Sequence, residues 1–105
     1  MSEDCIFCKI INGDLGTEFV YETENTVVFR DINPKAPVHL LVCPKKHIQS
    51  LIELEDKNLM AELMQTVKDS AKKAGLKAYK VQINTGKEAG QEVMHLHIHV
   101  MGKAE

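Results

Sequence analysis

The chain has 105 residues, of which 44% are hydrophobic and 27% charged, and we expect a single domain that spans residues 1–105. The formal net charge of −2 argues against a global positive field that would attract nucleic acid. The apolar runs are far shorter than a membrane span, so neither a nucleic acid nor a membrane is an expected partner.

In the first half of the chain the sequence predicts a short helix and three strands. Apolar residues on one side, followed by Gly13, predict the helix. Alternating or continuous apolar residues bounded by turn residues predict the strands, the last of which is stopped by Pro44. The predicted ranges are 5–12 for the helix and 19–22, 26–30 and 39–43 for the strands.

In the second half the sequence predicts one long helix and two strands. Apolar residues at three- and four-residue spacing predict the helix, and Gly75 is the expected C-cap. The predicted ranges are 56–74 for the helix, 79–84 and 95–101 for the strands, and 85–92 for a flexible loop between them. The predicted fold class is α+β, with an antiparallel sheet mostly of meander type, one long helix and a short N-terminal helix.

Three histidines alternate with apolar residues in the last strand. Because side chains alternate between the two faces of a strand, His95, His97 and His99 would share one face with Asn84 of the neighbouring strand. The long helix would cover the opposite face, which carries Leu96, Ile98, Val100, Val81 and Ile83. A row of imidazoles is compatible with zinc ligation, with a nucleophile oriented by its neighbours, or with ordinary solvated histidines.

Three cysteines, an odd number, argue against a disulfide framework. Cys5 and Cys8 form a C-x-x-C pair, which in a cytosolic protein indicates metal or redox chemistry, and no thioredoxin-like βαβ pattern surrounds it. Cys43 alternates with Leu41 and is expected to be a buried apolar residue. The acidic residues 1–4 lack the features of a signal peptide, so we expect a cytoplasmic location.

The histidine row and several other segments resemble the histidine-triad family of nucleotide hydrolases and transferases. The row fits the family signature, in which three histidines alternate with apolar residues. The turn at 44–47 resembles that of the Hint branch of the family. The other similar segments are residues 5–11, 29–34, 36–39, 84–86 and 89–93.

The resemblance implies that His97 attacks the α-phosphorus of a nucleotide and forms a covalent nucleotidyl-imidazole, which water then hydrolyses. It implies that His99 and Asn84 hold the phosphate oxygens and that Asp31 binds the ribose hydroxyls. It also implies that His39 orients the nucleophile or stabilises its charge through the hydrogen-bond network. The other implied contacts are the backbone of Ile32 at the ribose, Gln91 and Val93 at the phosphate or leaving group, and a purine pocket formed by Ile6, Phe7, Ile10, Leu15 and Phe29.

The resemblance also implies a structural zinc site, because some members with this C-x-x-C pair bind zinc through four corresponding residues. Those residues are Cys5, Cys8, His47 and His95. Soft thiolates and imidazoles suit Zn²⁺, and four protein ligands would close the site and leave the chemistry to His97. The alternative is a pair of reduced cysteines without a metal. Members of this branch form two-fold dimers, so a homodimer is expected.

The leading functional hypothesis is a phosphoramidase that cleaves the P–N bond of purine nucleoside 5′-phosphoramidates. The alternatives are a dinucleoside polyphosphate hydrolase, a nucleotide-binding regulatory protein with incidental catalysis, and a zinc-dependent hydrolase that uses the histidine row as ligands. Many Hint-branch members have Ser or Thr where this chain has Glu92, whereas bacterial-looking members of the family often carry Glu. An ionised carboxylate accepts hydrogen bonds and repels anions, so the role of a hydroxyl at this position is not expected of Glu92.

Overall fold

A computed structural model describes residues 5–104, which form two α-helices and one sheet of five strands. The elements in chain order are α1 (Ile6–Ile11), β1 (Tyr21–Glu22), β2 (Thr26–Arg30), β3 (Val38–Pro44), α2 (Lys57–Lys73), β4 (Tyr79–Gln82) and β5 (Ile98–Gly102). Within these residues, neither helix has both the length and the apolar character needed to cross a membrane. The expectation for residues 1–4 falls outside the described residues.

The sheet has the strand order β1-β2-β3-β5-β4, and every neighbouring pair is antiparallel. This arrangement confirms the predicted α+β class. The sheet is a meander from β1 to β3, but the chain then passes through α2 to β4 at the edge, and β5 returns between β4 and β3. Strand β3 is therefore central, and all of its residues are buried.

The central strand separates two apolar clusters, because its alternate side chains point to opposite faces of the sheet. On one face, α2 packs over a cluster that includes Leu40, Val42, Leu63, Val67, Leu96, Ile98 and Val100. On the other face, α1 packs over a cluster formed by Cys5, Phe7, Cys8, Val27, Phe29, Leu41 and Cys43. The predicted burial of Leu96, Ile98 and Val100 beneath α2 is confirmed.

The prediction that α2 also covers Val81 is wrong. All four residues of β4 are exposed, and the Val81 side chain is 43% exposed. Strand β4 lies at the sheet edge beyond α2, whereas Ile83, just after the strand, still packs partly against the core.

Helix α2 begins and ends close to the predicted residues. The Asp56 side chain caps it by accepting a hydrogen bond from the Leu59 N–H, with Oδ1 and N 3.1 Å apart. Gly75 follows the helix with φ of +80°, the left-handed conformation for which glycine is favoured. The Thr66 hydroxyl lies 2.8 Å from that of Thr26 and ties the helix to β2 in the buried layer between them.

Strand β5 begins at Ile98, three residues later than predicted. The sheet pairing of β3 with β5 stops at Val42 opposite Ile98, and the Pro44 carbonyl instead faces the His95 ring, with O and Nε2 2.9 Å apart. The Leu96 N–H donates to the Ile48 carbonyl, outside the sheet. The segment before β5 is therefore held by loop and side-chain contacts.

We predict that Gly102→Ala lowers the free energy of unfolding by about 1–3 kcal/mol, measured by urea unfolding. A Cβ atom at Gly102 would lie 2.8 Å from the Ala78 carbonyl oxygen and 3.3 Å from the Tyr79 Cβ, so β4 and β5 would have to separate. Lys103→Ala, at the exposed neighbouring position, is the control and should change stability by less than about 0.5 kcal/mol. Equal stability of the two variants would contradict this packing account.

Candidate functional site

A row of imidazole rings crosses the α1 face of the sheet. The order of the rings is His47, His95, His97, His99 and His39. The ring centroids of the first pair are 5.0 Å apart, those of His97 and His99 are 5.0 Å apart, and those of His99 and His39 are 5.1 Å apart. The Phe7 ring spans the gap in the middle, at 6.1 Å from His95 and 5.0 Å from His97. The fold therefore brings all five predicted histidines together.

The middle ring, His97, is held in one tautomer by the backbone. Its Nδ1 lies 2.7 Å from the carbonyl oxygen of His95. Since a carbonyl only accepts hydrogen bonds, Nδ1 carries the proton of the neutral ring and Nε2 has a free lone pair. His97 is 7% exposed, and the Phe7 ring meets the imidazole edge-on at 88°. His97 is thus a buried, oriented imidazole with one nitrogen available for nucleophilic attack.

His39 and His99 form a second oriented pair. The Lys35 N–H donates to Nδ1 of His39 at 3.0 Å, which leaves the proton of His39 on Nε2. That N–H faces Nδ1 of His99 at 2.9 Å and Oδ2 of Asp31 at 3.5 Å. Because Nδ1 of His99 accepts this bond, the neutral His99 ring carries its proton on Nε2. His99 therefore presents an N–H donor beside His97.

Burial favours the neutral form of the central rings. Desolvation lowers the pKa of His97 below its ordinary value, although the hydrogen bond to the His95 carbonyl and the negative charges of Asp31 and Glu92 oppose the shift. Desolvation also lowers the pKa of His99, and the neighbouring imidazoles act in the same direction. A neutral imidazole is the form that can act as a nucleophile.

The four predicted metal ligands form a second cluster, which we call the Cys2His2 cluster: Cys5, Cys8, His47 and His95. One ligand atom from each residue lies within 4.8 Å of all the others. The Cys8 Sγ is 3.2 Å from Nδ1 of His47, the Cys5 Sγ is 3.4 Å from Nδ1 of His95, and the two Nδ1 atoms are 3.2 Å apart. A tetrahedral zinc ion places neighbouring ligand atoms about 3.4–3.8 Å apart, so the cluster is close to the required size.

The donor chemistry of this cluster also fits a metal. Nε2 of His95 donates to the Pro44 carbonyl at 2.9 Å, so the lone pair of the neutral ring is on Nδ1, which faces the two thiols. Such a hydrogen bond behind a ligating imidazole is a common feature of zinc sites. Cys5 and Cys8 are buried and free of disulfide bonds. The cluster could therefore hold a metal ion such as Zn²⁺.

Asp31 forms the turn that follows β2 and faces the histidines. Its Oδ1 accepts the Asn33 N–H at 2.9 Å, and its own N–H donates to the His39 carbonyl at 3.0 Å. The other carboxylate oxygen is directed towards the His39 ring. Ile32, beside it, is 92% exposed.

Asn84 and Gln91, which were predicted to contact the phosphate, make hydrogen bonds to the backbone of the protein instead. The Asn84 amide donates to the Ala89 carbonyl at 2.8 Å. The Gln91 side chain is buried, and its amide donates to the carbonyls of Gln49 and Val93, while its Oε1 accepts the Gly86 N–H. Since the Gln91 N–H also bonds to the Gly86 carbonyl, the donors of Gln91 are already used to fix the loop. A phosphate contact from Gln91 would require the loop to rearrange.

The residues predicted to form the purine pocket differ in how deeply they are buried. Phe7 and Phe29 are buried, with ring centroids 5.4 Å apart, and Phe29 lies in the apolar cluster that supports Phe7. Ile10 is partly buried against the same cluster. Ile6 and Leu15 are 42% and 51% exposed, so they offer open apolar surface. Phe29 is thus a support for the surface rather than an exposed wall.

A cleft of about 500 Å³ opens beside the Cys2His2 cluster. The residues that line it are Cys5, Ile6, His47, Gln49, Glu92, Val93 and Met94.

Asp31, His39 and His99 form a second possible metal-binding group, in which one atom from each residue lies within 4.8 Å of the other two. In that second group, however, the nitrogen atoms of the two imidazoles face each other in a hydrogen bond.

Three backbone groups that orient the site could not be predicted from the sequence, namely the Lys35 N–H and the carbonyls of Pro44 and His95. Every residue has such groups, so no residue type marks them in the sequence.

The HIT domain family matches residues 12–105 of this chain. The chain is 48% identical over 103 residues to Protein HitA of Neisseria gonorrhoeae. The matched region covers 95% of this chain and 96% of HitA. A HIT family hydrolase from Legionella pneumophila Philadelphia 1 has a TM-score of 0.90 and 39% identity, covering 97% of this chain and 95% of that one. A hypothetical histidine triad nucleotide-binding protein from Sulfolobus tokodaii strain7 has a TM-score of 0.84 and 36% identity, covering 96% and 70% of the two chains. The chain therefore belongs to the HIT domain family, in agreement with the histidine-triad resemblance of its sequence.

Proposed function

We propose that this protein hydrolyses purine nucleoside 5′-phosphoramidates through a covalent nucleotidyl-histidine on His97. The observation that carries the proposal is the 2.7 Å contact between Nδ1 of His97 and the His95 carbonyl, which leaves Nε2 as the unprotonated nitrogen. The name of the Sulfolobus histidine triad nucleotide-binding protein supports a nucleotide as the ligand of this chain, and that of the Legionella HIT family hydrolase supports hydrolysis as the reaction.

In the first step, the Nε2 lone pair of His97 attacks the α-phosphorus and the P–N bond breaks. The electron pair of that bond stays on nitrogen, which takes up one proton from water and departs as the amine. The Nδ1 proton of His97 remains on the ring and continues to donate to the His95 carbonyl. The Nε2–H of His99 donates to a phosphate oxygen, and this interaction stabilises charge that builds up in the transition state.

In the second step, water attacks the same phosphorus atom and the P–Nε2 bond breaks. The electron pair returns to Nε2, a proton is released to solvent, and the nucleoside monophosphate leaves a neutral His97. We propose that Asp31 binds the ribose hydroxyls, which a carboxylate oxygen accepts well. The exposed apolar side chains of Ile6 and Leu15 and the edge of Phe7 would contact the purine.

We predict that the protein, quenched during turnover of adenosine 5′-phosphoramidate, gains the mass of one AMP group by intact-mass spectrometry. His97→Ala should lack this adduct and lose at least about a thousandfold in kcat, because the nucleophile is gone. His99→Ala is the matched control, since it removes a neighbouring imidazole but keeps the nucleophile. It should slow turnover about 10²–10³-fold and still form the adduct.

Turnover near the wild-type rate in His97→Ala would exclude this residue as the nucleophile. If the wild-type protein binds AMP but neither forms the adduct nor releases AMP from the phosphoramidate, the regulatory nucleotide-binding alternative would replace the proposal. Circular dichroism of each variant would verify that the fold is retained.

We further propose that the Cys2His2 cluster binds one structural Zn²⁺. The ion would join the start of α1 to the segment before β5, because Cys5 and Cys8 come from the first and His95 from the second. Zinc with four protein ligands has no open position for substrate, so its contribution is to the fold. The reduced thiols also fit the cytoplasm, where we propose that the protein acts.

We predict one zinc ion per chain by elemental analysis, and loss of zinc in Cys8→Ser. That variant should also show a Tm at least about 5 °C lower, since metal binding contributes to folding free energy. Cys43→Ala is the matched control, because Cys43 is buried in the same apolar cluster but is not one of the four ligands. Full zinc content in Cys8→Ser would contradict the assigned ligand set.

We also propose that the protein is a homodimer. Large apolar side chains are exposed on α2 and on the edge strand β4, namely Met60, Met64, Tyr79 and Val81. An uncovered strand edge and exposed apolar groups are typical of an interface between copies. We predict a dimeric mass by sedimentation equilibrium and a shift towards monomer in Val81→Lys. A monomeric wild-type protein at micromolar concentration would refute this proposal.

A further inference from the structure

We infer that Asp31 is a positioning residue for the pair formed by His39 and His99, in addition to its proposed contact with the ribose. The inference rests on the proposed function and deepens it, because His99 is the residue assigned to the phosphate oxygen. One carboxylate then has two effects on the reaction. The first depends on the sugar of the substrate, and the second does not, so the two can be measured separately.

The first support is the path of the loop from Asp31 to His39, which surrounds the His39 ring. On one side of the ring, Oδ2 of Asp31 lies 3.5 Å from Nε2, and on the other side the Lys35 N–H donates to Nδ1 at 3.0 Å. The Asp31 N–H donates to the His39 carbonyl at 3.0 Å, and Oδ1 of Asp31 accepts the Asn33 N–H at 2.9 Å. The residue that we assign to the ribose therefore also closes the loop that holds His39.

The second support is the number of acceptors around a single proton. Because Nδ1 of His39 accepts from Lys35, the neutral ring has its only proton on Nε2. Two acceptors face that N–H, namely Nδ1 of His99 at 2.9 Å and the carboxylate of Asp31 at 3.5 Å. The shorter contact is the hydrogen bond. The carboxylate acts through its charge, which attracts the N–H and keeps this side of the ring directed towards His99.

The third support is the shielding of these groups from water. The side chains of His39 and Asp31 are 2% and 20% exposed, so solvent screens their attraction only in part. The effect extends beyond His39, because Nδ1 of His99 accepts from it and thereby leaves the His99 proton on Nε2. The orientation of the His99 donor therefore depends on the Asp31 carboxylate through one intervening imidazole ring.

Asp31→Asn is a suitable test, because an amide has one acceptor atom where the carboxylate has two. If the amide oxygen accepts the Asn33 N–H, the amide nitrogen faces the N–H of His39 and repels it. If the amide is turned the other way, the bond to the Asn33 N–H is lost. In both orientations the negative charge beside the His39 N–H is gone.

The kinetic experiment uses adenosine 5′-phosphoramidate and its 2′,3′-dideoxy analogue, which lacks both hydroxyl groups that Asp31 would bind. The measured quantity is the rate constant for transfer of the nucleotidyl group to His97 in a single turnover with saturating enzyme, which removes differences in binding. For Asp31→Asn and the dideoxy compound, we expect this rate constant to fall about five- to tenfold, because an interaction with a charged group is lost.

Glu24→Gln is the matched control. It removes the same charge from an exposed residue in the turn between β1 and β2, and it should change the rate constant by less than about twofold. A second background tests whether the effect passes through His39. In His39→Leu, which keeps apolar bulk in β3 but has no N–H, adding Asp31→Asn should change the rate constant for the dideoxy compound by less than about twofold.

A spectroscopic experiment on the free protein needs neither turnover nor a substitution at His39. Side-chain ¹H–¹⁵N NMR spectra of histidine report which ring nitrogen carries the proton. For the wild-type protein, we expect the proton of His39 on Nε2. Asp31→Asn should shift the ring signals of His39 and His99, whereas Glu24→Gln should leave them unchanged.

Three results would overturn the inference. They are a rate constant for the dideoxy compound within twofold of the wild-type value in Asp31→Asn, an equal loss from Asp31→Asn in the His39→Leu background, and unchanged ring signals of His39 and His99 in Asp31→Asn. The first would leave Asp31 as a ribose ligand only. If the wild-type protein transfers no nucleotidyl group from either compound, the proposed function fails, and the NMR spectra alone then decide whether Asp31 positions the pair.

Discussion

Two backbone carbonyl groups determine which nitrogen atoms the histidine row can use. The Pro44 carbonyl accepts from Nε2 of His95, and the His95 carbonyl accepts from Nδ1 of His97. Each bond fixes a tautomer, because a carbonyl cannot donate. The first bond leaves the lone pair of His95 on Nδ1, which faces the thiols of Cys5 and Cys8. The second leaves the lone pair of His97 on Nε2, which can attack phosphorus. His95 therefore belongs to both clusters, with its ring in one and its peptide group supporting the other.

The central position of β3 makes this arrangement possible. On one face of β3, Leu40 and Val42 pack beneath α2. On the other face, which α1 covers, His39 and Leu41 lie beside the other histidines. Strand β5 pairs with it directly, so His99 lies opposite Leu41. The hydrophobic layer beneath α2 can thus fix the sheet without using any group of the site. The polar chemistry is confined to one face, which within the described residues is covered by the short helix α1.

Much of this organisation could be predicted from the sequence, because it follows from periodicity. Alternation placed His95, His97 and His99 opposite Leu96 and its apolar neighbours, and helical spacing located α2 to within a residue or two. The late start of β5 could not be predicted, because it depends on the use of the Pro44 carbonyl by a side chain. The exposure of Val81 depends on strand order, which alternation does not encode. Likewise, nothing in the sequence showed that the donors of Gln91 would be used within the loop.

Because β4 lies at the sheet edge, it can open locally without disturbing the strands that hold the histidines. In the separated monomer, all four of its residues are exposed and it pairs with β5 alone, so its amide protons should exchange with solvent well before those of β3. Local opening of β4 would leave the pairing of β3 with β5, and hence His39 and His99, in place. The loop that carries Glu92 connects β4 to the segment before β5. Partial unfolding that begins at the edge strand would therefore not by itself displace His39 and His99.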